Sequence, residues 1–259
     1  MGAKYGQHFL TNQHAAQRIV DALNLSSADQ VLEIGPGKGV LTDLLFKKCK
    51  VIAVEVDPQM IALLEKKNYA PGSVQIINQD ILDLDFKIID NQLNSDSFKI
   101  IGNLPYNITS PILRRLCDWK NWTEAVIMVQ KEVGDRICAK VGDKEYGALS
   151  VGMALSCRSE KVFDLSESSF NPPPKVKSSV IKLFRLKTPL TDDIPACQKV
   201  VQAAFQQRRK TIYNSLSHGL QMNKEAIGKM LALLNISPTL RAQNLSPEQF
   251  IALTKLKNS

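Results

Sequence analysis

The sequence predicts an α/β fold, in which a doubly wound, mostly parallel sheet is followed by a small helical domain. Two observations support this prediction. From Gln30 onward, short apolar runs alternate with stretches of helical spacing, and beyond Pro195 only the helical spacing continues. Because β-α-β-α order implies right-handed parallel crossovers, the sheet should hold a ligand crevice at the carboxyl ends of its strands.

Seven apolar runs are the predicted strands. They are VLEI (31–34), VIAVEV (51–56), VQIIN (74–78), FKII (98–101), EAVIMVQ (124–130), RSEKVFDL (158–165) and SVIKLFRL (179–186). If the final strand is antiparallel, it carries the loop FNPPPKV (170–176) back to the crevice. One helix is expected at residues 12–24, where Asn12 can cap the first turn. Others should follow Gly39, Pro58, Thr109 and Lys131.

Residues 187–195 contain two prolines and an acidic pair, a composition typical of a linker. Beyond it, four segments have helical spacing, namely 196–217, 223–234, 238–243 and 246–256, with caps at Asn223, Ser237 and Ser246. Earlier in the chain, residues 141–156 are expected to form a loop followed by a short buried helix. We therefore expect a main domain at residues 1–187 and a small basic helical domain at residues 188–259.

The composition is that of a globular protein, since 44% of the 259 residues are hydrophobic and 22% are charged. The longest uncharged apolar stretch, residues 146–157, is too short to span a bilayer, and the N-terminal MGAKYGQHFL lacks a signal-peptide core. We therefore expect a cytoplasmic protein that does not associate with membranes. The five cysteines never form a C-x-x-C pair, which disfavours a zinc site and a disulfide framework, and predicts buried, small apolar side chains.

The net charge of +8 is unevenly distributed. Residues 1–187 carry 24 Lys and Arg against 21 Asp and Glu, whereas residues 188–259 carry 9 against 4. The last quarter of the chain is therefore its basic part. Such a balance fits a polyanionic partner such as nucleic acid, and it is equally compatible with a solvated cationic surface.

Three consecutive strand ends offer polar groups to the predicted crevice. The first strand leads into the turn EIGPGKG (33–39), whose Gly35 and Gly37 allow close backbone approach to a ligand. The second ends at Glu55, which can accept from the two hydroxyls of a ribose, and the third ends near Asp80, which can accept from an adenine amine. Each acid alone is typical of a solvated strand end, but the series predicts a nucleoside pocket.

The pentapeptide GNLPY (102–106) follows the fourth strand. Pro105 fixes its own φ and keeps Leu104 extended, so the carbonyls of Asn103 and Leu104 point in one direction. Tyr106 adds an aromatic face beside these acceptors. This pattern matches a planar base with an exocyclic amine, because the amine donates to the carbonyls while the base stacks on the ring. The same residues are compatible with an ordinary strand exit that carries a half-buried Tyr.

The arm KYGQHFL (4–10) precedes the first helix. Tyr5, His8 and Phe9 provide both stacking and hydrogen-bonding groups. The arm either lies against whatever the first domain binds or packs as a plain N-terminal extension. Its composition does not separate these two interpretations.

Together, the E-x-G-x-G-x-G turn, the acids at the next two strand ends and N-L-P-Y resemble the S-adenosylmethionine-dependent methyltransferases. Within them, N-L-P-Y is similar to the RNA adenine N6,N6-dimethyltransferases. Three further motifs of that family match: F-x-P-x-P-x-V-x-S-x-V at 170–180, G-Q-x-F-L at 6–10 and Q-R-R-K-T at 207–211. The chain is thus identified, over almost its whole length, as a member of the small-subunit (16S) rRNA adenine dimethyltransferases, which have a Rossmann-like class I methyltransferase fold.

The resemblance assigns a role to each of these positions. It implies S-adenosylmethionine as the cofactor, with contacts from His8, Leu10, Gly35, Gly37, Glu55, Asp80 and Asn103. It implies a catalytic set of Asn103, Leu104, Pro105, Tyr106 and Phe170, in which Tyr106 and Phe170 cover the two faces of a flipped adenine. Some relatives have Asn at the position of His8, so the contact made by this side chain is left open.

The resemblance also implies the reaction and the partner. The expected activity is N6,N6-dimethylation of two adjacent adenosines near the 3′ end of 16S rRNA in a small-subunit precursor, by a monomer without a metal. A basic helix with Arg208, Arg209 and Lys210 is expected to bind rRNA phosphates, although such a run is also typical of a solvated face. The alternatives are a 23S rRNA dimethyltransferase, a glutamine or DNA-amine methyltransferase and a non-catalytic ribosome-assembly factor. Leu104 departs from the D/N-P-P-Y/F loop of the glutamine and DNA-amine enzymes.

Overall fold

In residues 7–93 and 98–258, which are the part of the chain described by the computed structural model, seven strands form one mixed sheet. In chain order the strands are β1 Phe9–Leu10, β2 Gln30–Ile34, β3 Lys50–Glu55, β4 Val74–Asn78, β5 Phe98–Asn103, β6 Trp122–Gln130, β7 Cys157–Leu165, β8 Phe170–Asn171 and β9 Ser178–Arg185. The sheet has the order β4-β3-β2-β5-β6-β9-β7, and β1 pairs with β8 in a separate two-stranded ribbon. All seven predicted strands are thereby confirmed.

The sheet is parallel except at one side. Strands β4, β3, β2, β5 and β6 pair in parallel, whereas β9 runs antiparallel to β6. The central strands are buried on both faces, which explains why β2 and β3 are nearly continuous apolar runs rather than alternating ones. The order reverses between β2 and β5, so a crevice opens at the carboxyl ends of these strands.

Eleven α-helices connect and follow the strands within the described residues. They are α1 Gln13–Asp21, α2 Thr42–Leu45, α3 Pro58–Glu65, α4 Phe86–Leu93, α5 Thr109–Asp118, α6 Lys131–Cys138, α7 Ala148–Ala154, α8 Ile194–Phe205, α9 Ile212–Gly219, α10 Lys224–Leu233 and α11 Pro247–Asn258. The expected caps hold at α1 and α10, where the side chains of Asn12 and Asn223 accept from the backbone three residues on. Helix α4 is not among the helices predicted from the sequence.

The expected helix at 196–217 is instead two helices, because the chain turns at residues 206–211. The Thr211 side chain accepts from the Asn214 N–H and starts α9, and the Ile212 N–H donates to the Leu240 carbonyl. A Cβ at Gly219 would lie 2.7 Å from the Cα of Ala203, which shows how closely α9 folds back on α8. This reversal buries the apolar faces of both helices, which one straight helix would leave half exposed.

The segment predicted as helical at 238–243 only overlaps, at its end, the short 3₁₀ turn Ala242–Asn244. Ser237 accepts from the Thr239 N–H within a turn and caps no helix of the described chain. Ser246 does cap α11, because its hydroxyl accepts from the Gln249 N–H while the Gln249 side chain accepts from the Ser246 N–H.

The chain divides into two compact units. One contains the described residues of Met1–Gly134 and Ser159–Arg185, and the other contains Asp135–Arg158 with the described residues from Leu186 onward. One boundary between the units falls between Arg185 and Leu186, next to the predicted linker at 187–195. The inclusion of 135–158 departs from the predicted division, because Tyr146, Val151 and Leu155 belong to the apolar core that α8 to α11 form.

Four of the five cysteines, Cys49, Cys117, Cys157 and Cys197, are buried as expected, whereas Cys138 is partly exposed. Within residues 7–93 and 98–258, which contain all five, none of them forms a disulfide bond. In the described part of the chain, no group of three or more His, Cys, Asp or Glu side chains could hold a metal ion. No helix there is long and apolar enough to cross a membrane.

Candidate active site

A cavity of about 310 Å³ lies at the carboxyl ends of the central strands of the first unit. Most of the predicted site residues line it: His8, Gly35, Gly37, Glu55, Asp80, Asn103, Leu104, Pro105 and Tyr106. Ile34, Gln79, Ile81 and Asn107 also line it and are not defining residues of any motif named above, whereas Gln7, which lines it too, is the Q of G-Q-x-F-L. The strand ends converge here because the parallel strands β2, β3 and β5 finish at one edge of the sheet.

The glycine turn after β2 forms the floor of the cavity. Gly35 and Gly37 adopt φ angles of +67° and +53°, which L side chains rarely adopt. A Cβ on Gly37 would lie 2.9 Å from the ring of Phe9, so the arm packs directly against this turn. The turn thus places the backbone of Gly35 and Gly37 in the lining of the cavity.

The carboxylate of Glu55 is held by three backbone donors. Its Oε1 accepts from the N–H groups of Val56 and Asp57, and its Oε2 accepts from the Gly37 N–H, each at 3.0 Å. The residue is 3% exposed and lines the cavity. Since a carboxylate has about four acceptor positions, it can still accept from a ligand hydroxyl while the three N–H bonds fix its orientation.

The Asp80 side chain is anchored in a similar way. Its Oδ1 accepts from the Leu82 N–H at 2.8 Å and thereby closes the turn that follows β4. Its second oxygen, Oδ2, is the one left to accept from an amine in the cavity. The side chain of Arg115 donates to the carbonyls of Leu82 and Leu84 and so supports the same turn.

The loop at 102–106 is built by close backbone contacts. A Cβ on Gly102 would lie 2.6 Å from the Ile34 carbonyl oxygen, which explains the glycine. The Leu104 N–H donates to the Met128 carbonyl at 3.1 Å. The Nδ2 of Asn103 donates to the His8 carbonyl at 2.8 Å, and this bond leaves the amide oxygen Oδ1 as the acceptor.

Tyr106 is held at both ends of its side chain. Its phenol oxygen lies 2.6 Å from the Oγ of Ser178, and its ring centroid lies 5.6 Å from that of His8. Burial raises the pKa of the phenol, so the hydroxyl stays protonated near neutral pH. The His8 Nδ1 in turn donates to the Pro172 carbonyl at 2.8 Å, which links the arm to the proline loop.

Glu33 is a buried acid to which the sequence analysis assigned no role. It is 1% exposed, and the Thr42 hydroxyl donates to its Oε2 at 2.7 Å. Burial raises the pKa of its carboxyl to about 8, and the charges of Asp43 and Glu55 act in the same direction. Near neutral pH this carboxyl is therefore mostly neutral, in contrast with the well-solvated acids of the surface. Glu33 is the first residue of the E-x-G-x-G-x-G motif, and this position was the feature of the sequence that could have singled it out.

Comparison with known proteins decides the family. The family model described as ribosomal RNA adenine dimethylase matches residues 2–259. The chain belongs to this family. It is accordingly an rRNA adenine dimethylase by family and an enzyme that transfers methyl groups from a methyl donor.

Relatives and solved structures agree with this membership. Ribosomal RNA small subunit methyltransferase A from Caldanaerobacter subterraneus subsp. tengcongensis is 41% identical over 254 residues, which cover 96% of this chain and 94% of that protein. The protein of the same name from Coxiella burnetii is 36% identical over 262 residues, covering 100% and 98%. A dimethyladenosine transferase structure from Plasmodium falciparum aligns with a TM-score of 0.78 at 28% identity, covering 95% and 96%. The 23S rRNA methyltransferase ErmE aligns with a TM-score of 0.71 at 25% identity, covering 97% and 100%.

Two expected site residues of this rRNA adenine dimethylase are buried away from the cavity. Leu10 is 5% exposed and Phe170 is 3% exposed, and they face each other in the β1–β8 ribbon. Both belong to the apolar core that also contains Ile19 and Val20 of α1. Their assignment to cofactor and base stays a prediction. Tyr5 and Gly6 of the expected arm lie outside the described residues.

The basic run of the dimethylase lies in the second unit, and it is not helical. Arg208, Arg209 and Lys210 are exposed in the turn between α8 and α9. The guanidinium of Arg208 donates to the carbonyls of Lys144 and Tyr146 at 2.9 and 3.4 Å. The prediction that these residues lie on a helix was wrong, because α8 ends at Phe205. Their expected role in binding phosphates stays a prediction.

Proposed function

We propose that this dimethylase transfers methyl groups from S-adenosylmethionine to the N6 amines of two adjacent adenosines near the 3′ end of 16S rRNA. It would act as a monomer on a small-subunit precursor in the cytoplasm, where ribosomal subunits mature. One observation carries the proposal: the Asn103–Tyr106 loop and the Gly35, Glu55 and Asp80 strand ends line one cavity. The names of the relatives, which are small-subunit rRNA methyltransferases, support the choice of RNA.

The residues of the cavity fit a nucleoside cofactor that carries a charged sulfonium. The backbone of Gly35 and Gly37 forms part of the cavity lining, and the Glu55 carboxylate presents a fixed acceptor for ribose hydroxyls. Asp80 offers Oδ2 to the adenine amine of the cofactor. When bound, S-adenosylmethionine supplies an electrophilic methyl group. The Phe9 ring of the arm packs against Gly37, and the His8 carbonyl accepts from Asn103 Nδ2.

The loop residues address the weak nucleophilicity of an adenine amine, whose lone pair is delocalised into the ring. We propose that Asn103 Oδ1 and the Leu104 carbonyl accept the two amine protons and draw them out of the ring plane. The bond from Asn103 Nδ2 to the His8 carbonyl supports this role, because it orients the amide with Oδ1 free to accept. The methylated amine is a strong acid, so its proton can pass to water without a dedicated base.

Tyr106 is proposed to stack on the target adenine and to stabilise its developing positive charge through the ring quadrupole. The ring lines the cavity beside Asn107 and is held at its hydroxyl end. Phe170 is proposed for the second face of the base. Since its ring is 3% exposed, it would have to leave the core before it could stack.

In the second unit, we propose that Arg209 and Lys210 contact rRNA phosphates, with Arg208 at the same turn. A pocket sized for one adenine cannot select a single site in a long RNA. Exposed cations on a separate unit that carries most of the net positive charge provide that additional affinity.

The decisive experiment offers the purified protein three substrates: 30S subunits lacking the modification, naked 16S rRNA and 23S rRNA. Labelled S-adenosylmethionine and nucleoside analysis would report N6,N6-dimethyladenosine, with Asn103→Ala as the inactive control. We expect two dimethylated adenosines in 16S rRNA. Transfer to 23S rRNA instead would favour the activity named for ErmE, and binding without transfer to any substrate would favour an assembly factor.

A further inference from the structure

Ser178 is a buried serine whose hydroxyl faces the proposed base-binding residue. It is the first residue of β9 and is 0% exposed. Its Oγ lies 2.6 Å from the phenol oxygen of Tyr106, which is a short hydrogen bond between two hydroxyls. Ser178 is the S of the F-x-P-x-P-x-V-x-S-x-V motif, but the expected catalytic set did not include it.

The position of Ser178 is fixed by the sheet. It stands opposite Gln130 in the antiparallel β6–β9 ladder, and the Lys131 N–H donates to the neighbouring Lys177 carbonyl at 2.9 Å. Tyr106, by contrast, lies in a loop after β5. Its phenol oxygen lies on the Cβ–Cγ axis, so a hydrogen bond to this atom fixes the direction of that axis and limits rotation of the side chain about the Cα–Cβ bond. The hydrogen bond therefore connects a loop side chain to a rigid strand.

The next residue in β9 provides an internal comparison. Ser179 is also 0% exposed, and its Oγ donates to the Asp164 carboxylate at 2.5 Å. Successive side chains of a strand point to opposite faces, so Ser179 makes its bond on the side away from Tyr106. The two serines match in burial and in the presence of a short hydrogen bond, and they differ in their contact with the proposed site.

We propose that Ser178 is a positioning residue for methyl transfer: its hydroxyl anchors the phenol oxygen and so fixes the position of the Tyr106 ring on which the target adenine stacks. This inference rests on the proposed function. Ser178 does not line the cavity, so it acts on the base only through Tyr106. Loss of the bond should let the ring tilt and misalign the amine, which slows the transfer step more than it weakens binding of RNA or cofactor.

The test compares four variants with the wild type: Ser178→Ala, Ser179→Ala, Tyr106→Phe and the double variant Ser178→Ala/Tyr106→Phe. Turnover and KM for 16S rRNA substrate are measured at saturating S-adenosylmethionine, with cofactor affinity by calorimetry and Tm alongside. We expect Ser178→Ala and Tyr106→Phe each to lower kcat by about three- to tenfold, the range for one hydrogen bond. KM for RNA and cofactor affinity should change less than about twofold.

The double variant should be no slower than either single one, because both remove the same bond. Ser179→Ala should lower Tm without lowering kcat. The inference is overturned if Ser178→Ala turns over like Ser179→Ala, or if the double variant shows the product of the two single effects. Should Ser178→Ala fail to fold, Tyr106→Phe decides alone, since an unchanged kcat there excludes a role for the bond. A wild type that transfers no methyl group to rRNA would instead refute the proposed function.

Discussion

The loop at 102–106 and the turn at 206–210 are two of the regions that the family motifs single out, and they are built in opposite ways. In the loop, Gly102 touches the Ile34 carbonyl, Leu104 donates to Met128 and the Asn103 amide donates to the arm. In the turn, the three cationic side chains are exposed, and the structure shows side-chain hydrogen bonds for Arg208.

The difference matches two kinds of task. Activation of an amine requires acceptors placed within a fraction of an ångström, which only backbone-anchored groups provide. Attraction of phosphates acts over a Debye length of about 8 to 10 Å and tolerates mobile side chains. Changes in the loop should therefore alter the rate of transfer, whereas changes in the turn should alter affinity and its salt dependence.

The largest expected effect is that of Asn103→Ala. Removal of the amide takes away both the proposed acceptor of the amine proton and the bond to the His8 carbonyl. We expect turnover to fall by about 100-fold or more, with a smaller effect on RNA binding. Single-turnover kinetics at saturating substrates would measure this. Asn91→Ala, at an exposed position of α4, is the control for loss of an amide. Unchanged turnover would remove Asn103 from the mechanism and break the comparison.

Glu55→Ala should mainly weaken cofactor binding. A charged hydrogen bond to a ribose hydroxyl contributes about 1.5 to 3 kcal/mol, so affinity for S-adenosylmethionine should fall by about 10- to 150-fold. The substitution also leaves the N–H groups of Gly37, Val56 and Asp57 without their acceptor, so a lower Tm is expected in a protein that remains folded. Calorimetry would give the affinity. Wild-type binding by a folded Glu55→Ala protein would contradict the assignment.

The basic turn should show a smaller effect that depends on salt. Replacing Arg208, Arg209 and Lys210 together with Ala should weaken binding to the ribosomal particle. The log–log salt dependence of that binding should flatten by about 0.7 to 0.9 for each phosphate that the variant no longer neutralises. Cofactor affinity should not change. Binding isotherms at several KCl concentrations would test this, and an unchanged slope would assign the turn to solubility.

Single variants at the turn sharpen the same comparison. Because Arg208 donates to the carbonyls of Lys144 and Tyr146, Arg208→Ala should lower Tm as well as affinity. Arg209→Ala and Lys210→Ala should lower affinity alone. Equal effects of all three on Tm would show that the Arg208 bonds contribute little to stability.

Substitution of Glu33 is expected to have the smallest effect on activity. Its main effect should be on the way in which the free energy of unfolding depends on pH. The pKa of the Glu33 carboxyl is raised to about 8 in the folded protein and is about 4.5 in the unfolded chain. Between these two pH values the Glu33 carboxyl is protonated in the folded protein and ionised in the unfolded chain. The stability contributed by this protonation is therefore lost as pH rises from about 4.5 through 8. The free energy of unfolding should fall by at most about 1.4 kcal/mol per pH unit through this titration.

Glu33→Gln keeps the shape and removes this titration. Its Tm relative to that of the wild type should rise as pH increases from about 5 to about 9, with no comparable trend for Glu65→Gln at an exposed position of α3. Thermal melts across this pH range would measure the difference. A constant Tm difference would mean that the Glu33 carboxyl does not change its protonation in that interval.

Much of the cavity could be predicted because parallel strands bring their carboxyl ends to one edge. Gly35, Glu55, Asp80 and Asn103 lie at or just after the ends of four different strands, so a correct count of strands was sufficient to place them together. The bonds that orient them could not be predicted. The donors to Glu55 and the partner of Tyr106 depend on φ angles and on registry between distant segments, which have no local signature.

The second unit was less predictable for a related reason. A hydrophobic stripe of helical spacing runs through residues 196–217 and gives no sign of the turn at 206–211. The turn exists because it lets α9 pack on α8 at Gly219 and Ala203. Likewise, the sequence around Tyr146 does not reveal that its hydroxyl donates to the Leu245 carbonyl, 99 residues away.

The tetrapeptide FKII occurs twice in the chain and adopts a different conformation each time. Comparison of the two copies shows what the sequence determines and what the tertiary structure decides. At residues 86–89 it begins the helix α4, where Phe86 stacks on Trp119 at 4.0 Å and Ile88 is 42% exposed. At 98–101 it forms most of β5, paired with β2 and β6. Its apolar content predicts burial in both places, and Ile89 and Ile101 are indeed fully buried.

The flanking residues add a local bias. Asp85 accepts from the Lys87 N–H at the start of the helix, and Gly102 allows the close exit of the strand. The choice between helix and strand nevertheless depends on backbone partners. The backbone N–H and C=O groups of β5 form hydrogen bonds with strands that lie far away in the chain. Those of α4 form hydrogen bonds within the helix itself. Composition and spacing thus determine which residues of this protein are buried and at which sheet edge its acids meet, whereas long-range hydrogen bonding decides the conformation in which they are held.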